Sequence, residues 1–229
     1  MLEIAMRVVV RVGGSVIASP PDPQLIIRYA RLLERLRREG HTLVVVVGGG
    51  SLARDFIDLA RSMGLSEQDQ DSLAIAVSRI FASLLGRALG ELHSEPIPNS
   101  INQVSHSLHQ EKIVTMGGLR PGMTTDTVAA MVAERIKADL LVKATDQEGV
   151  YTQDPDKHRD AEKIDTLSFE ELWGFFEEEK HRAGIHQVLD PEALRILERT
   201  RTRTVVVNGF EPENVRLAIE GKKVGTLIQ

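Results

Sequence analysis

Three times in this chain a short, almost wholly aliphatic run stops on consecutive glycines, with a helical pattern following. Residues 6–12 end on Gly13-Gly14-Ser15, residues 43–47 on Gly48-Gly49-Gly50-Ser51, and residues 113–116 on Gly117-Gly118. The all-apolar run at 43–47 is what a parallel strand covered on both faces requires, and residues 6–12 are rich in valine. The spacing predicts helices over 24–38, from near Leu52, over 71–89 and over 126–138, the last reached through a loop at 119–125. In the first of these Leu25, Tyr29, Leu32, Leu33 and Leu36 share one face, and Gly40 closes it; Gly90 breaks the third. Further strands are expected at 140–143 and 204–207. Strands alternating with helices define an α/β fold, here a three-layer αβα sandwich with a mostly parallel central sheet. Ligands of such sheets sit outside the carboxyl ends of the strands, where all three glycine turns fall.

The chain has 229 residues, a formal net charge of -5 and no cysteine. That length suits a single domain over 1–229, and the charge excludes a general attraction to nucleic acid or anionic membrane. Without cysteine there is neither disulfide nor thiolate chemistry, which suits a cytoplasmic protein. No apolar run is expected to span a membrane, and residues 1–10, with Glu3 and Arg7, do not read as a leader. Residues 154–165 read as a polar surface loop, followed by a helix over 168–176 with Ser168 as N-cap and Glu171 completing a capping box.

Four segments carry chemistry. In Arg11-Val12-Gly13-Gly14-Ser15, glycine amides can cradle a phosphate and Arg11 can bridge phosphates; a plain strand-end turn fits as well. Gly48-Gly49-Gly50-Ser51-Leu52-Ala53-Arg54 brings amides and a helix N-terminus to one point, with Arg54 one turn in. In Gly117 to Asp126, Thr124 and Thr125 are N-cap candidates able to hold a second phosphate or a base edge, and Asp126 is accounted for by the helix dipole. In Lys143 to Pro155, a strand ends in a lysine and a polar turn; Tyr151 can stack on a base and Asp154 can accept from a ribose or amine. No metal site is read: His106, His109, His181 and His186 lack carboxylates at ligand spacing. The arginines at 28, 31, 35, 37 and 38 read as a solvated helix face. Gly-x-x-x-x-Gly-Lys-Ser/Thr, Gly-x-Ser-x-Gly and Gly-x-Gly-x-x-Gly are all absent.

The ordered blocks GGS, GGGSLAR, GGLRPGMTTDTVAAMVAE, LLVKATDQEGVYTQDP and VLDPEA resemble the amino-acid kinase superfamily, and within it the archaeal-type uridylate kinases. The resemblance spans residues 6–228. It implies ATP phosphates at Gly14, Ser15, Gly50 and Arg54, with Thr145, Tyr151 and Asp154 around the adenosine. It implies UMP phosphate at Gly49, ribose at Asp71, and the uracil and phosphate wrapped by Leu119, Arg120, Pro121, Gly122, Met123, Thr124 and Thr125. Arg11, Lys143 and Asp190 would act at the transferred phosphoryl, Asp190 orienting the cations. The resemblance further implies magnesium carried by ATP, a homohexamer, an acceptor lobe over about 1–138 and an ATP lobe over about 139–229. Two departures stand out: arginine at position 11, where many members have lysine, and Asp146-Gln147-Glu148-Gly149 in place of the usual Asn-Val-Asp-Gly.

The expected reaction is direct phosphoryl transfer from ATP to UMP, achieved by positioning and charge stabilisation without a general base. Kinases of the same fold acting on carbamate, acetylglutamate or isopentenyl phosphate are an alternative. A non-catalytic nucleotide- or oxyanion-storage protein is another.

Overall fold

The computed structural model describes residues 5–108, 112–155, 157–178 and 188–229. His109, His181 and His186 lie outside the described residues. The first half contains β1 (Arg7–Val12), α1 (Gly14–Ile17), α2 (Pro23–Arg38), β2 (Thr42–Val47), α3 (Gly50–Ser62), α4 (Glu67–Leu89), α5 (Ile101–Leu108) and β3 (Val114–Met116). The second half contains α6 (Thr125–Ile136), β4 (Leu140–Thr145), the strands β5 (Val150–Tyr151), β6 (Lys163–Ile164) and β7 (Thr166–Leu167), α7 (Phe169–Glu178), α8 (Pro191–Thr200), β8 (Thr204–Asn208), α9 (Glu213–Ile219) and β9 (Thr226–Ile228).

Seven strands form the central sheet in the order β3-β2-β1-β4-β8-β9-β7, and β5 pairs with β6 in a separate hairpin. Every pairing of the central sheet is parallel except β8 with β9. Successive residues of a strand point to opposite faces, and here both faces are covered. Val8, Val10, Val12, Leu43, Val45, Val47, Leu140 and Val142 join one core cluster with the apolar sides of α2, α4 and α9. Val9, Val44, Val46, Val114, Met116 and Leu141 join another with α6 and α8. This is why the valine runs show no polar alternation, and it produces the expected three layers.

Some boundaries differ from the sequence reading. Helix α3 starts at Gly50, two residues before Leu52. Helix α4 starts at Glu67, a turn before Asp71, because Ser66 caps it by accepting from the Asp69 N–H at 3.2 Å. By length and composition Glu67–Leu92 could cross a membrane, contrary to the expectation from apolar runs; in the fold Val77, Phe81, Ala82, Leu85 and Leu89 pack into the core. The capping box before α7 forms as read. Ser168 Oγ accepts from Glu171 N at 3.0 Å, and Ser168 N donates to Glu171 Oε2 at 2.7 Å. His106 is an exposed residue whose Nδ1 donates to the Asn102 carbonyl at 3.1 Å.

Candidate active site

The strand order reverses between β1 and β4: β2 and β3 lie to one side of β1, while β8 and β9 lie beyond β4. A crevice opens at the carboxyl ends of the strands wherever an open sheet reverses in this way. The first two glycine turns meet there. A Cβ on Gly14 would stand 2.0 Å from Gly50 N, and one on Gly48 would stand 2.6 Å from Gly14 N. The two turns therefore touch backbone to backbone, which side chains at these positions would prevent. Gly50 has φ +62°. Ser19 ties the turns together, its Oγ accepting from Ser51 N and donating to the Gly14 carbonyl. The half-buried Ser15 follows in α1.

Arg11 and Lys143 are register partners across β1 and β4, so both project onto the face covered by α6. Between them sits Asp126, one residue inside the N-terminus of α6. Lys143 Nζ lies 2.7 Å from Asp126 Oδ2, and Arg11 Nε lies 2.8 Å from Oδ1. The Arg11 contact is a close charge pair without hydrogen-bond alignment. Arg11 Nη2 also donates to Thr125 Oγ1 at 3.1 Å, and Lys143 Nζ donates to the Val188 carbonyl. The Lys143 side chain is 3% exposed and that of Asp126 12%. Burial alone would raise the Asp126 pKa, but Arg11 and Lys143 outweigh it and hold the carboxyl below its ordinary range. Burial pushes Lys143 the other way, below an ordinary lysine, with Asp126 opposing and Arg11 reinforcing the shift.

Asp190 was expected to orient the cations. Its oxygens accept from the acceptor loop and its own helix: Thr124 Oγ1 donates to Oδ2 at 2.6 Å and Thr127 Oγ1 to Oδ1 at 2.8 Å. Oδ1 also accepts the N–H groups of Glu192 and Ala193, making Asp190 the N-cap of α8. It acts on Lys143 only through space. The acid in contact with both cations is Asp126, whose position at a helix start explained it away in the sequence. Of the two cap candidates, Thr124 is the cap of α6 and Thr125 holds Arg11.

Beside the cations lies a cavity of about 410 Å³ lined by Gly49, Ala53, Asp71, Ala74, Ile75, Ser78, Gly118, Arg120, Gly122, Met123, Thr124 and Thr125. Seven of the residues expected around the acceptor thus line one space. Leu119 packs toward the core instead, and Pro121 lines a neighbouring cavity of about 530 Å³ with Thr127, Met131, Asp190 and Arg199. Asp71 Oδ2 accepts from Gly122 N at 2.7 Å, fastening the loop across the cavity mouth. The α4 residues Ala74, Ile75 and Ser78 were missed in the sequence; their signal is the helical spacing that follows Asp71. Arg54 is exposed on α3 and forms no ion pair among the described residues.

The residues expected around ATP lie along the carboxyl end of β4 and the hairpin beyond it. Thr145 Oγ1 donates to Asp146 Oδ1 at 2.9 Å, and its carbonyl accepts from Gly209 N at 2.6 Å. Tyr151 is half-buried in β5, opposite Lys163. Asp154 pairs with Lys157 at 2.8 Å. In Asp146-Gln147-Glu148-Gly149, Glu148 accepts from Asn208 Nδ2 at 2.7 Å, tying the departing turn to β8.

Glycine amides, paired cations and an adjoining cavity at a switch point define a protein that brings anionic groups together. Residues 6–208 match the Amino acid kinase family. The chain is 39% identical over 226 residues to a uridylate kinase of Methanocaldococcus jannaschii, covering 98% of this chain and 100% of that protein. It is 43% identical over 222 residues to a uridylate kinase of Hyperthermus butylicus, covering 96% and 97%. The crystal structure of uridylate kinase from Archaeoglobus fulgidus superposes with a TM-score of 0.88 at 37% identity, covering 98% of this chain and all of that one. The chain belongs to the amino acid kinase family.

Proposed function

We propose that the chain is a uridylate kinase, transferring the γ-phosphoryl group of ATP to the 5′-phosphate of UMP. The observation that carries this reading is the side-by-side pair Arg11 and Lys143, held by Asp126 at the switch point and flanked by the 410 Å³ cavity. The names of near-full-length relatives support UMP as the acceptor. In this reading Gly49, Asp71, Arg120, Gly122, Met123, Thr124 and Thr125 receive UMP. Gly14, Ser15, Gly50 and Arg54 take the ATP phosphates, and Thr145, Tyr151 and Asp154 take its adenosine. The acceptor binds on the side of residues 1–138 and ATP on the side of 139–229.

The acceptor phosphate is itself the nucleophile, so no side chain has to remove a proton. Arg11 and Lys143 neutralise the charge that spreads over the equatorial oxygens of the transferred group, and Asp126 holds them at fixed positions. Asp190 and Thr124 keep the acceptor loop anchored to α8. Magnesium, carried in with ATP, would supply charge neutralisation at the phosphates. Among the described residues no group of three acidic or imidazole side chains gathers to hold a metal. Both Asp126 and Asp190 are already committed to protein partners.

Exposed apolar side chains on neighbouring helices, Phe56 and Leu59 of α3 with Ile80 and Leu84 of α4, support self-association into a homo-oligomer. A coupled assay of ADP release with ATP, magnesium and a panel of nucleoside monophosphates tests the function. Activity strongest with UMP is expected. ATP binding without turnover of any monophosphate would overturn the reading in favour of a storage role.

A further inference from the structure

The acceptor loop is fastened to α4 by more than Asp71. Ser78 Oγ accepts from Gly118 N at 2.8 Å. Arg79 Nε donates to the Gly118 carbonyl at 3.0 Å, and its Nη2 reaches the Leu119 carbonyl at 3.4 Å. Arg79 is half-buried and forms no ion pair among the described residues, so its guanidinium serves these two carbonyls.

The consequence follows from the planarity of the peptide. Cis bonds among the described residues are confined to Ser19-Pro20 and Glu95-Pro96, so the peptides joining Gly118, Leu119 and Arg120 are trans. In a trans peptide the C=O of one residue and the N–H of the next point in opposite directions. Arg79 draws two successive carbonyls toward α4, and the N–H groups of Leu119 and Arg120 therefore both face away from it. Neither N–H has a protein partner among the described residues. Gly118 and Arg120 wall the 410 Å³ cavity, whereas Arg79 does not. Two adjacent unpaired amides turned to one side form a small concavity suited to oxygen acceptors.

We infer that Arg79 is a positioning residue for the acceptor: by holding the carbonyls of Gly118 and Leu119 it aims the amides of Leu119 and Arg120 at oxygens of the bound nucleoside monophosphate. The inference rests on the kinase reading above. Without Arg79 either peptide is free to turn, and a turned carbonyl would present a negative dipole to an oxygen-rich ligand. The close approach of loop and helix also rests on Gly117. A Cβ added there would stand 2.7 Å from Arg79 N and 2.6 Å from Ser78 Oγ.

The test is steady-state kinetics of Arg79→Met, which keeps an apolar stem but has no donors, beside Arg79→Lys, which keeps the charge but gathers its donors on one nitrogen and lacks the planar fork. Arg79→Met is expected to raise the KM for UMP about tenfold or more, equivalent to about 1.4 kcal/mol. The KM for ATP should stay within about twofold. Arg79→Lys should fall between, a rescue that a merely structural role does not provide. An unchanged KM for UMP, or equal rises for UMP and ATP, overturns the inference. Should Arg79→Met fail to fold, the same split between the two substrates is read from Arg79→Lys alone. A wild-type chain inactive on every monophosphate refutes the kinase reading itself. Wild-type activity on UMP beside an unaltered Arg79→Met refutes only the role of Arg79.

Discussion

Replacing Asp126 by asparagine removes the negative charge paired with Arg11 and Lys143 while keeping the shape of the side chain. Both contacts are short, 2.8 and 2.7 Å, and the Lys143 side chain is almost sealed from solvent. Removing one partner of such a buried arrangement costs about 3–5 kcal/mol. Because asparagine retains an oxygen for Lys143, the lower end applies, about 3 kcal/mol, or a fall of about 6–12 °C in Tm for a domain of this length. The pH dependence is more telling. In the native protein burial lowers the Lys143 pKa and Asp126 opposes that shift. In Asp126→Asn burial and Arg11 both push downward, so Lys143 loses its proton at lower pH than in the wild type. The alkaline limb of the kcat profile must then move to lower pH, and turnover at neutral pH should fall about 100-fold, the scale of losing one preorganised charge. Stability follows by linkage. Asp126, with its pKa held below the ordinary carboxylate range, stabilises the fold fully above that range, and this contribution is lost as pH falls through its folded pKa; the variant lacks that dependence. Lys143 acts with the opposite charge: its folded pKa is depressed, so stability rises with pH between the folded value and that of a free lysine, and the variant should widen this window. Coupled ADP release and urea melts across pH measure both. Wild-type turnover with an unmoved alkaline limb would refute the claim that Asp126 holds the cations in place.

Gly14→Ala puts a methyl group 2.0 Å from Gly50 N, where no side chain can give way, so urea melts should show a loss of about 3 kcal/mol. Arg54→Ala removes an exposed cation with no ion pair among the described residues; Tm should be nearly unchanged while kcat falls about 100-fold, and wild-type turnover would remove Arg54 from the ATP site. Asp190→Ala strips the α8 cap and the acceptor of both threonines, costing about 2 kcal/mol. Asp190→Asn should recover most of that stability, and a kcat that stays about tenfold low in it would isolate the effect of the Asp190 charge on Lys143.

The strands and the major helices were legible because each answers to a local cause. Valine runs mark strands covered on both faces, and Leu25 to Leu36 mark one face of α2. The short strands at the β7 end of the sheet were not legible: Thr166–Leu167 and Thr226–Ile228 are too short to carry a period and are held by pairing with each other and, for Thr226–Ile228, with β8. Helix α8 carries an Asp-Pro start, a cap signal legible in its own right beside the role that the resemblance implies for Asp190. Glycine pointed reliably to the rim, since backbone contact between the turns at Gly14 and Gly50 permits nothing larger.

What stayed hidden was pairing across the sheet. Read singly, Arg11 is a cation before a turn, Lys143 a cation at a strand end and Asp126 an acid at a helix N-terminus, each with an adequate local explanation. Once β1 and β4 are placed side by side in register, Arg11 and Lys143 become neighbours on one face. Two cations at adjacent strand positions beneath packed helix repel each other unless an acid lies between them. Helix α6 crosses that face and starts with Asp126. The identity of residue 11 then acquires a reason. Arginine's planar fork meets Asp126 with Nε and Thr125 with Nη2, two adjacent residues of one helix start. A lysine there would carry its donors on a single nitrogen and could not match the spacing of that fork. Arg11 therefore does not simply replace a lysine's charge: it fastens β1 to the N-terminus of α6 while presenting a cation to the crevice. Arg11→Lys should accordingly keep the positive charge but loosen that junction, lowering Tm while leaving a measurable kcat.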